Sequence, residues 1–305
     1  MSKKHIILAL LVTFAWGINF PITKLGLRGV DPFLLTGIRF ALAAIPMVFI
    51  VKRPTVRFGY VIAYGLIFGV GMWGLINYGI SVGVAPGIAS LIIQFSAFFT
   101  IGWGSILFGE KIRPAQIIGA IFALFGLLGV MSAQKGLHQI LGISLIIFSA
   151  VAWSLGNVVI KKSKVKEIFS FTVWASIFPP IPLLLWAWTS SDGVAFQQSW
   201  NNLSWAGLLS IIFQVYIATH FAYWGWNTLV KIYPVSVVAP LSLLIPVFGI
   251  ITSVFILGER VSAIELISVI LIIFGLAIGI YKRPVPAPDI PDTYKKADKC
   301  RENCS

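Results

Sequence analysis

The sequence predicts an all-α integral membrane protein with ten transmembrane helices arranged as two inverted five-helix repeats. Three observations support this class. First, 58% of the 305 residues are hydrophobic and 11% are charged, and the mean hydropathy is +0.93, which is more apolar surface than a soluble core buries. Second, the chain contains ten apolar segments whose lengths are close to the roughly 20 residues that a helix needs to cross a bilayer. Third, the last five segments resemble the first five.

The ten predicted spans fill most of the chain. Helices are expected throughout, because a strand in lipid must belong to a closed barrel of alternating polarity. The spans are 6–23, 32–51, 60–82, 87–108, 115–131, 140–159, 170–188, 205–229, 236–257 and 263–281. The first is predicted to be a retained helix and not a cleaved signal, since it lacks a small-residue cleavage site and polar Asn19 and Lys24 follow.

Three regions follow from these spans. Residues 1–135 form the first five-helix repeat, residues 136–283 the second, and residues 284–305 a tail predicted to be disordered and cytoplasmic from its prolines and mixed charges. Cys300 and Cys304 lie in this tail on the reducing side, so no structural disulfide is expected. Two thiols without further ligands make a poor zinc site, and we expect neither a metal nor a cofactor.

The positions of the basic residues predict the topology. A net charge of +13 is compatible with nucleic-acid binding, but the distribution of the charges argues against it. When the 23 Lys and Arg residues are assigned to alternate sides of ten helices, 18 fall on the side of both termini and five on the other. Because short cytoplasmic loops carry an excess of Lys and Arg, both termini are predicted to be cytoplasmic, in the cell inner membrane. No nucleic-acid partner is expected.

Matching residues define the internal repeat. Trp16 and Trp153 are each followed eight residues later by a lysine, and Glu110 and Glu259 each follow a glycine at the end of the fourth span of their repeat. An odd number of helices per repeat places the two copies in opposite orientations, related by an axis in the membrane plane. This arrangement is typical of secondary transporters, whose substrate site lies near the midplane between the halves.

Several motifs resemble the EamA family of the drug/metabolite transporter superfamily. They are Trp-Gly-Ile-Asn-Phe from Trp16, Phe-Gly-Glu ending at Glu110, Leu-Gly-Glu ending at Glu259, and the glycine-rich fifth span. The fragments most similar to the branch that exports O-acetylserine and cysteine are 37–40, 53–56 and 238–247. The resemblance covers residues 6–281 and implies a metabolite exporter with this fold.

Polar and aromatic side chains recur at spacings of three or four within five of the spans. This spacing places side chains on one helix face, and polar groups in lipid-spanning segments are costly unless paired or hydrated. We therefore predict one substrate-binding cavity between the halves, and the resemblance implies the same lining helices. The candidate residues are Trp16, Asn19, Trp73, Asn77, Gln94, Trp153, Asn157, Tyr216, His220 and Tyr223.

A packing role is the alternative for each of these residues taken singly. Amides and hydroxyls often join packed helices, and aromatic side chains near helix ends often lie at the membrane interface. Lys24 and Arg39 either extend to the outer headgroups or attract a carboxylate. Glu110 and Glu259 are predicted to be interface anchors paired with the basic residue that follows each of them.

The leading functional hypothesis is a secondary transporter that exports small amphipathic metabolites by alternating access; the resemblance implies cysteine and O-acetylserine. The alternatives are an exporter of bulkier aromatic or cationic compounds, a non-transporting membrane subunit, and an intramembrane enzyme. The chain has no phosphate-binding Gly-rich loop and no Gly-x-Ser-x-Gly or His-Glu-x-x-His motif, which argues against ATP drive and against a hydrolase. The expected partners are a small-molecule substrate and the lipid bilayer, and the oligomeric state is left open.

Overall fold

The computed structural model describes residues 1–133, 136–190, 193–233 and 235–280, and these residues form helices and turns without a β-strand. Nine helices in this part of the chain are long and apolar enough to cross a membrane, and a further apolar helix has 17 residues. In chain order they are α1 (Lys3–Gly26), α2 (Pro32–Val48), α3 (Phe58–Ser81), α4 (Pro86–Phe108), α5 (Pro114–Ala133), α6 (Leu137–Ser163), α7 (Ile168–Thr189), α8 (Trp205–Ile232), α9 (Pro240–Leu257) and α10 (Ala263–Ile280). The predicted fold class is confirmed. The predicted tail, with Cys300 and Cys304, lies outside the described residues.

The helix ends follow local sequence signals. The Asp31 carboxylate caps α2 by accepting hydrogen bonds from the backbone N–H groups of Phe33 and Leu34 at 2.8 and 2.9 Å. Gly109 and Gly258 end α4 and α9 with φ values of 66° and 67°, a left-handed conformation that glycine adopts without a Cβ clash. Because such signals are local, each predicted span ends within four residues of the observed helix.

Four helices contain non-α turns at matching places in the two repeats. α3 has a π-helical segment at Ile67–Gly74, and α8, its counterpart, has one at Phe213–Phe221. α4 has a 3₁₀ turn at Ile93–Phe95, and its counterpart α9 begins with one at Ala239–Leu243. Such turns shift the side-chain register and frequently mark hinges or functional sites. Their paired placement is what duplication of a five-helix unit predicts.

Helix packing is also unchanged when the repeats are exchanged. Three helices pack against their own counterparts: α2 on α7, α4 on α9 and α5 on α10. The other contacts come in matching pairs. α1 packs on α8 and α9, and its counterpart α6 packs on α3 and α4, which are the counterparts of α8 and α9. A pseudo-twofold axis in the membrane plane requires this pattern.

The outside of the bundle is apolar and the inside contains polar groups. Large apolar side chains such as Phe49, Ile181 and Phe255 are 71–85% exposed, as hydrocarbon surroundings require. Glycines allow close contacts between helices. A Cβ on Gly65 of α3 would overlap the carbonyl oxygen of Ala175 in α7, so these two backbones touch.

Candidate substrate-binding cavity

A cavity of about 340 Å³ lies between the two repeats. Its lining comes from α1, α3, α4, α6, α8, α9 and α10, with one residue from the start of α7. Ile160, Ile168 and Ile280 lie at helix ends on the face of the bundle that carries Met1, so the cavity extends to that face. At its inner end are Phe20 and Trp73, whose rings lie 6.3 Å apart.

The bundle is closed between this inner end and the opposite face. Thr23 of α1 lies about one turn beyond Phe20, and Asn77 of α3 lies about one turn beyond Trp73; each is at most 1% exposed. The cavity therefore extends toward the face of the bundle that carries Met1 and is closed toward the opposite face.

The structure brings six of the ten candidate residues to the cavity. They are Trp16, Trp73, Gln94, Trp153, Asn157 and Tyr223. The six come from α1, α3, α4, α6 and α8, the five helices whose polar spacing led to the prediction of a cavity. Same-face spacing in the sequence therefore predicted six of the residues that line this cavity.

Trp16 joins the two repeats at the cavity wall. Its indole Nε1–H donates to the carbonyl oxygen of Ala218 at 2.9 Å, which is a backbone oxygen in the π-helical segment of α8. Its ring also lies 5.4 Å from the rings of Tyr223 and Trp226. The irregular turn thus supplies an acceptor that holds an aromatic side chain of the other repeat beside the cavity.

Two amides also bridge the repeats. Gln94, in the 3₁₀ turn of α4, donates through Nε2 to the carbonyl oxygen of Ser242 at 3.2 Å, and Ser242 lies in the 3₁₀ turn that begins α9. Asn157 of α6 donates through Nδ2 to the Thr100 hydroxyl of α4 at 3.1 Å. The non-α turns of both repeats therefore meet at the cavity.

The lining carries no formal charge among the residues that the structure describes. It consists of aromatic and aliphatic side chains together with the amides of Gln94, Asn157 and Asn227 and the hydroxyls of Ser96 and Ser242. Indole, phenol, hydroxyl and amide groups provide both hydrogen-bond donors and acceptors. The described residues also contain no group of three side chains suited to hold a metal ion.

Three of the ten candidates are buried away from the cavity. Asn77 donates through Nδ2 to the Thr36 hydroxyl at 2.8 Å, and the Nε2 atom of His220 lies 3.0 Å from the carbonyl oxygen of Ala43. These two contacts join helices, as the packing alternative predicts. Asn19 is fully buried, and neither atom of its amide has a hydrogen-bond partner in the described structure.

Tyr216 lies on the outer surface, and its predicted place in the cavity is wrong. Its side chain is 50% exposed, whereas Tyr223 lines the cavity. The prediction assumed 3.6 residues per turn along α8. The π-helical segment at Phe213–Phe221 adds a residue to the turn, and this rotates Tyr216 away from the face of Tyr223.

The lining also includes residues outside the predicted set. Phe20, Tyr64 and Trp226 add to the aromatic wall, and Asn227 adds an amide. Asn227 follows Tyr223 by four residues, so the spacing rule extended by one turn finds it. Trp224 is 53% exposed, which places it with the outer aromatic residues, while Tyr223 and Trp226 face inward. No spacing signal marks Tyr64.

The charged residues near the helix ends differ from expectation in their partners. Glu110 forms an ion pair with Lys161 of the other repeat and not with the adjacent lysine. The Lys24 ammonium donates to the carbonyl oxygen of Ile80 at 2.8 Å. Burial raises the pKa of the Glu259 carboxyl above its ordinary value, and the positive charge of Lys24 opposes this shift. The Lys161–Glu110 ion pair and the attraction between Lys24 and Glu259 therefore both act between the repeats, whereas the Lys24–Ile80 hydrogen bond lies within the first.

Known proteins resemble this chain along its whole membrane region. The sequence profile of the EamA-like transporter family matches residues 3–132 and 140–281. Relatives described as probable amino-acid metabolite efflux pumps occur in Escherichia coli K12, at 34% identity, and in Salmonella typhimurium LT2, at 35%. Each alignment covers 92% of this chain and 96% of the relative. A solved crystal structure matches this chain with a TM-score of 0.61 at 17% identity, over 92% of this chain and 98% of that chain. At this low identity the match supports a shared fold and nothing more.

Proposed function

Because this chain belongs to the EamA-like transporter family, we propose that it exports small amphipathic metabolites of the amino-acid class by alternating access. The family makes the chain a multi-pass membrane transporter and not an enzyme. The observation that carries the proposal is the uncharged cavity between two inverted repeats, which extends to one face of the bundle and is closed toward the other.

The named relatives support the amino-acid class. Two of them are described as probable amino-acid metabolite efflux pumps, and each aligns with 92% of this chain. Within that class we propose cysteine and O-acetylserine as substrates, because fragments at 37–40, 53–56 and 238–247 resemble the exporter branch for these compounds. The proposed location is the cell inner membrane.

The chemistry of the lining suits a small zwitterion. An amino acid carries an ammonium group, which needs acceptors, and a carboxylate, which needs donors. The amides of Gln94 and Asn157 and the hydroxyl of Tyr223 supply both kinds of group without adding net charge. A volume of about 340 Å³ is at the small end of the range for ligand pockets.

In the proposed transport cycle, movement of one repeat against the other opens the cavity alternately to the two sides of the membrane. The four non-α segments lie at or next to the cavity, and irregular helical turns are suited to act as hinges. Residues 1–135 and 136–283 would act as the two halves, with both termini and the 284–305 tail in the cytoplasm. In that orientation the cavity faces the cytoplasm, the side from which an exporter loads its substrate.

Counterflow in proteoliposomes tests this function. The purified protein is reconstituted with unlabelled cysteine or O-acetylserine inside, and uptake of the same labelled compound is followed. An aromatic amino acid and a quaternary ammonium dye are assayed in parallel. We expect labelled cysteine or O-acetylserine to accumulate. Accumulation of the dye alone would favour a transporter of bulky cations, and the absence of any uptake would favour a non-transporting subunit.

The aromatic wall favours one second candidate within the same family. Trp16, Trp73, Trp153 and Trp226 all line the cavity, and such surfaces also bind bulky aromatic compounds or cations. An anionic residue would strengthen cation binding, but the lining in the described structure has none. We therefore rank export of bulky compounds second.

A further inference from the structure

Arg39 is a fully buried cation next to the cavity. It lies in α2, its side chain is 1% exposed, and among the described residues it is the largest of the fully buried side chains. One guanidinium nitrogen, Nη1, donates to Gln214 Oε1 at 3.2 Å, and Nη2 donates to the Thr219 hydroxyl at 3.3 Å. Arginine stays protonated in proteins, and both of these acceptors are neutral. The positive charge therefore remains uncompensated.

No carboxylate balances this charge in the part of the chain that the structure describes. The ion pairs seen there, such as Glu110–Lys161 and Glu167–Lys231, are exposed at helix ends, and none involves Arg39. The Nε–H group of Arg39 is buried without an acceptor. A buried charge without a counter-ion is costly, and ionisable residues within a membrane commonly mark a functional site. Of the two alternatives that the sequence left open for Arg39, extension to the outer headgroups is wrong, because its side chain is enclosed.

The Trp73 side chain contacts both Arg39 and the cavity. The guanidinium carbon lies 4.0 Å from the centroid of the Trp73 ring, and Trp73 lines the cavity. The indole Nε1–H of Trp73 is also buried without an acceptor. Two N–H donors, one on each residue, are thus unsatisfied at the inner end of the cavity. Both are the kind of group that binds a carboxylate.

We propose that Arg39 binds the carboxylate of the transported amino acid, with the Trp73 indole as the movable group between them. The inference rests on the proposed function, and it identifies the residue that selects the substrate. Trp73 lies within the π-helical segment Ile67–Gly74, so a change in that turn moves the indole along the guanidinium face. The carboxylate then accepts from Arg39 Nε and from Trp73 Nε1, the two donors left free in the present state.

This assignment explains how a neutral lining selects a charged end. A guanidinium in contact with a ring of the lining is close enough to attract a carboxylate and to repel an ammonium group, because charges act over longer distances in a low-dielectric interior. A zwitterion is therefore oriented with its carboxylate toward Trp73. Its ammonium group is left to the amide and hydroxyl oxygens of the lining.

The test compares an amino acid with its amide. Counterflow of labelled cysteine is measured in proteoliposomes while unlabelled cysteine or cysteinamide, which lacks the carboxylate, competes. We expect cysteine to compete at least about tenfold better than cysteinamide with the wild-type protein, the discrimination expected for one charge-assisted contact. Arg39→Gln should bring the two competitors close to parity, and Arg39→Lys should retain part of the preference. Arg28→Gln, which removes an exposed cation at the end of α1, is the matched control and should discriminate as the wild type does.

The outcomes separate this inference from the proposed function. Equal competition by cysteine and cysteinamide with the wild type overturns the role of Arg39, even though transport of cysteine stands. Unchanged discrimination in a folded, active Arg39→Gln variant overturns it as well. If Arg39→Gln does not fold, the test rests on two other measurements. These are the discrimination between cysteine and cysteinamide by the wild type and by Arg39→Lys, and equal competition in both would overturn the role of Arg39. If the wild type transports neither cysteine nor O-acetylserine, the proposed function fails, and the inference that rests on it fails too.

Discussion

Gly119 of α5 and Gly275 of α10 lie against each other's carbonyl oxygens. A Cβ atom added to either glycine would overlap the carbonyl oxygen of the other. The repeat register that aligns Gly126 with Gly275 also aligns Gly119 with Ser268. The counterpart of the Gly119–Gly275 contact is therefore a contact between Ser268 and Gly126. That contact is present, because a Cβ on Gly126 would lie 2.6 Å from the carbonyl oxygen of Ser268. The fifth helices of the two repeats thus join through a contact that the pseudo-twofold axis duplicates.

Replacement of Gly119 by valine should destabilise the protein. The added side chain would force apart the backbones of α5 and α10, and overpacking of a close contact costs about 1–3 kcal/mol. We expect a lower midpoint for thermal unfolding in detergent. Gly102→Val in α4 is the control, since a Cβ there meets nothing within 4 Å. Equal midpoints for the two variants would show that close approach of α5 and α10 is not required.

Asn157→Leu should impair transport while Asn77→Leu spares it. Asn157 lines the cavity and bridges the repeats through Thr100, whereas Asn77 is buried beside Thr36 outside the cavity. Loss of one hydrogen bond of about 1–1.5 kcal/mol predicts a roughly 5- to 13-fold fall in cysteine counterflow for Asn157→Leu. The sequence alone predicts a similar loss for both variants. Normal transport by a folded Asn157→Leu protein would remove this residue from the site.

The stability of the protein should depend on pH through Glu259. Burial is the main cause that raises the pKa of this carboxyl above its ordinary value of 4.5, while the Gly87 backbone N–H and the Lys24 ammonium oppose the shift. A raised pKa in the folded state means that folding favours the protonated form. The stability contributed by Glu259 is therefore complete below pH 4.5 and is lost as the pH rises through the raised value.

Glu259→Gln should remove this pH dependence. We expect the variant and the wild type to have the same unfolding midpoint at pH 4 and the variant to be the more stable at pH 7. Glu110→Gln serves as the control, because Glu110 is exposed and paired with Lys161, and exposed ion pairs contribute little to stability. A constant difference between Glu259→Gln and the wild type across this pH range would contradict the argument from burial.

Cysteine labelling tests the proposed orientation of the termini. Lys164 is exposed in the turn after α6, and Arg28 is exposed after α1 on the opposite face. In a background that carries Ser at positions 300 and 304, a membrane-impermeant maleimide applied to intact cells should label Arg28→Cys and leave Lys164→Cys unlabelled. The reverse pattern would place both termini outside and turn the cavity toward the exterior.

Helical spacing in the sequence places some of the predicted site residues correctly and misplaces others. Trp16, Trp153 and Asn157 lie where their spacing predicts, because α1 and α6 are regular helices. Tyr216 does not, because a π-helical segment changes the register of α8. The sequence provides no separate signal for that segment. Such a turn forms only when packing and hydrogen bonds to neighbouring helices compensate for its poorer geometry.

The membrane class, the helix limits and the duplication could be predicted from the sequence, because hydrophobic length, caps and turn residues act within a few positions of the chain. Which polar groups meet could not be predicted, because it depends on how the helices pack. The tertiary structure buried Asn19 and Asn77, enclosed Arg39 against Trp73, and paired Glu110 with Lys161. These contacts join residues from different helices, so they depend on how the two repeats pack against each other and not on spacing along any one helix.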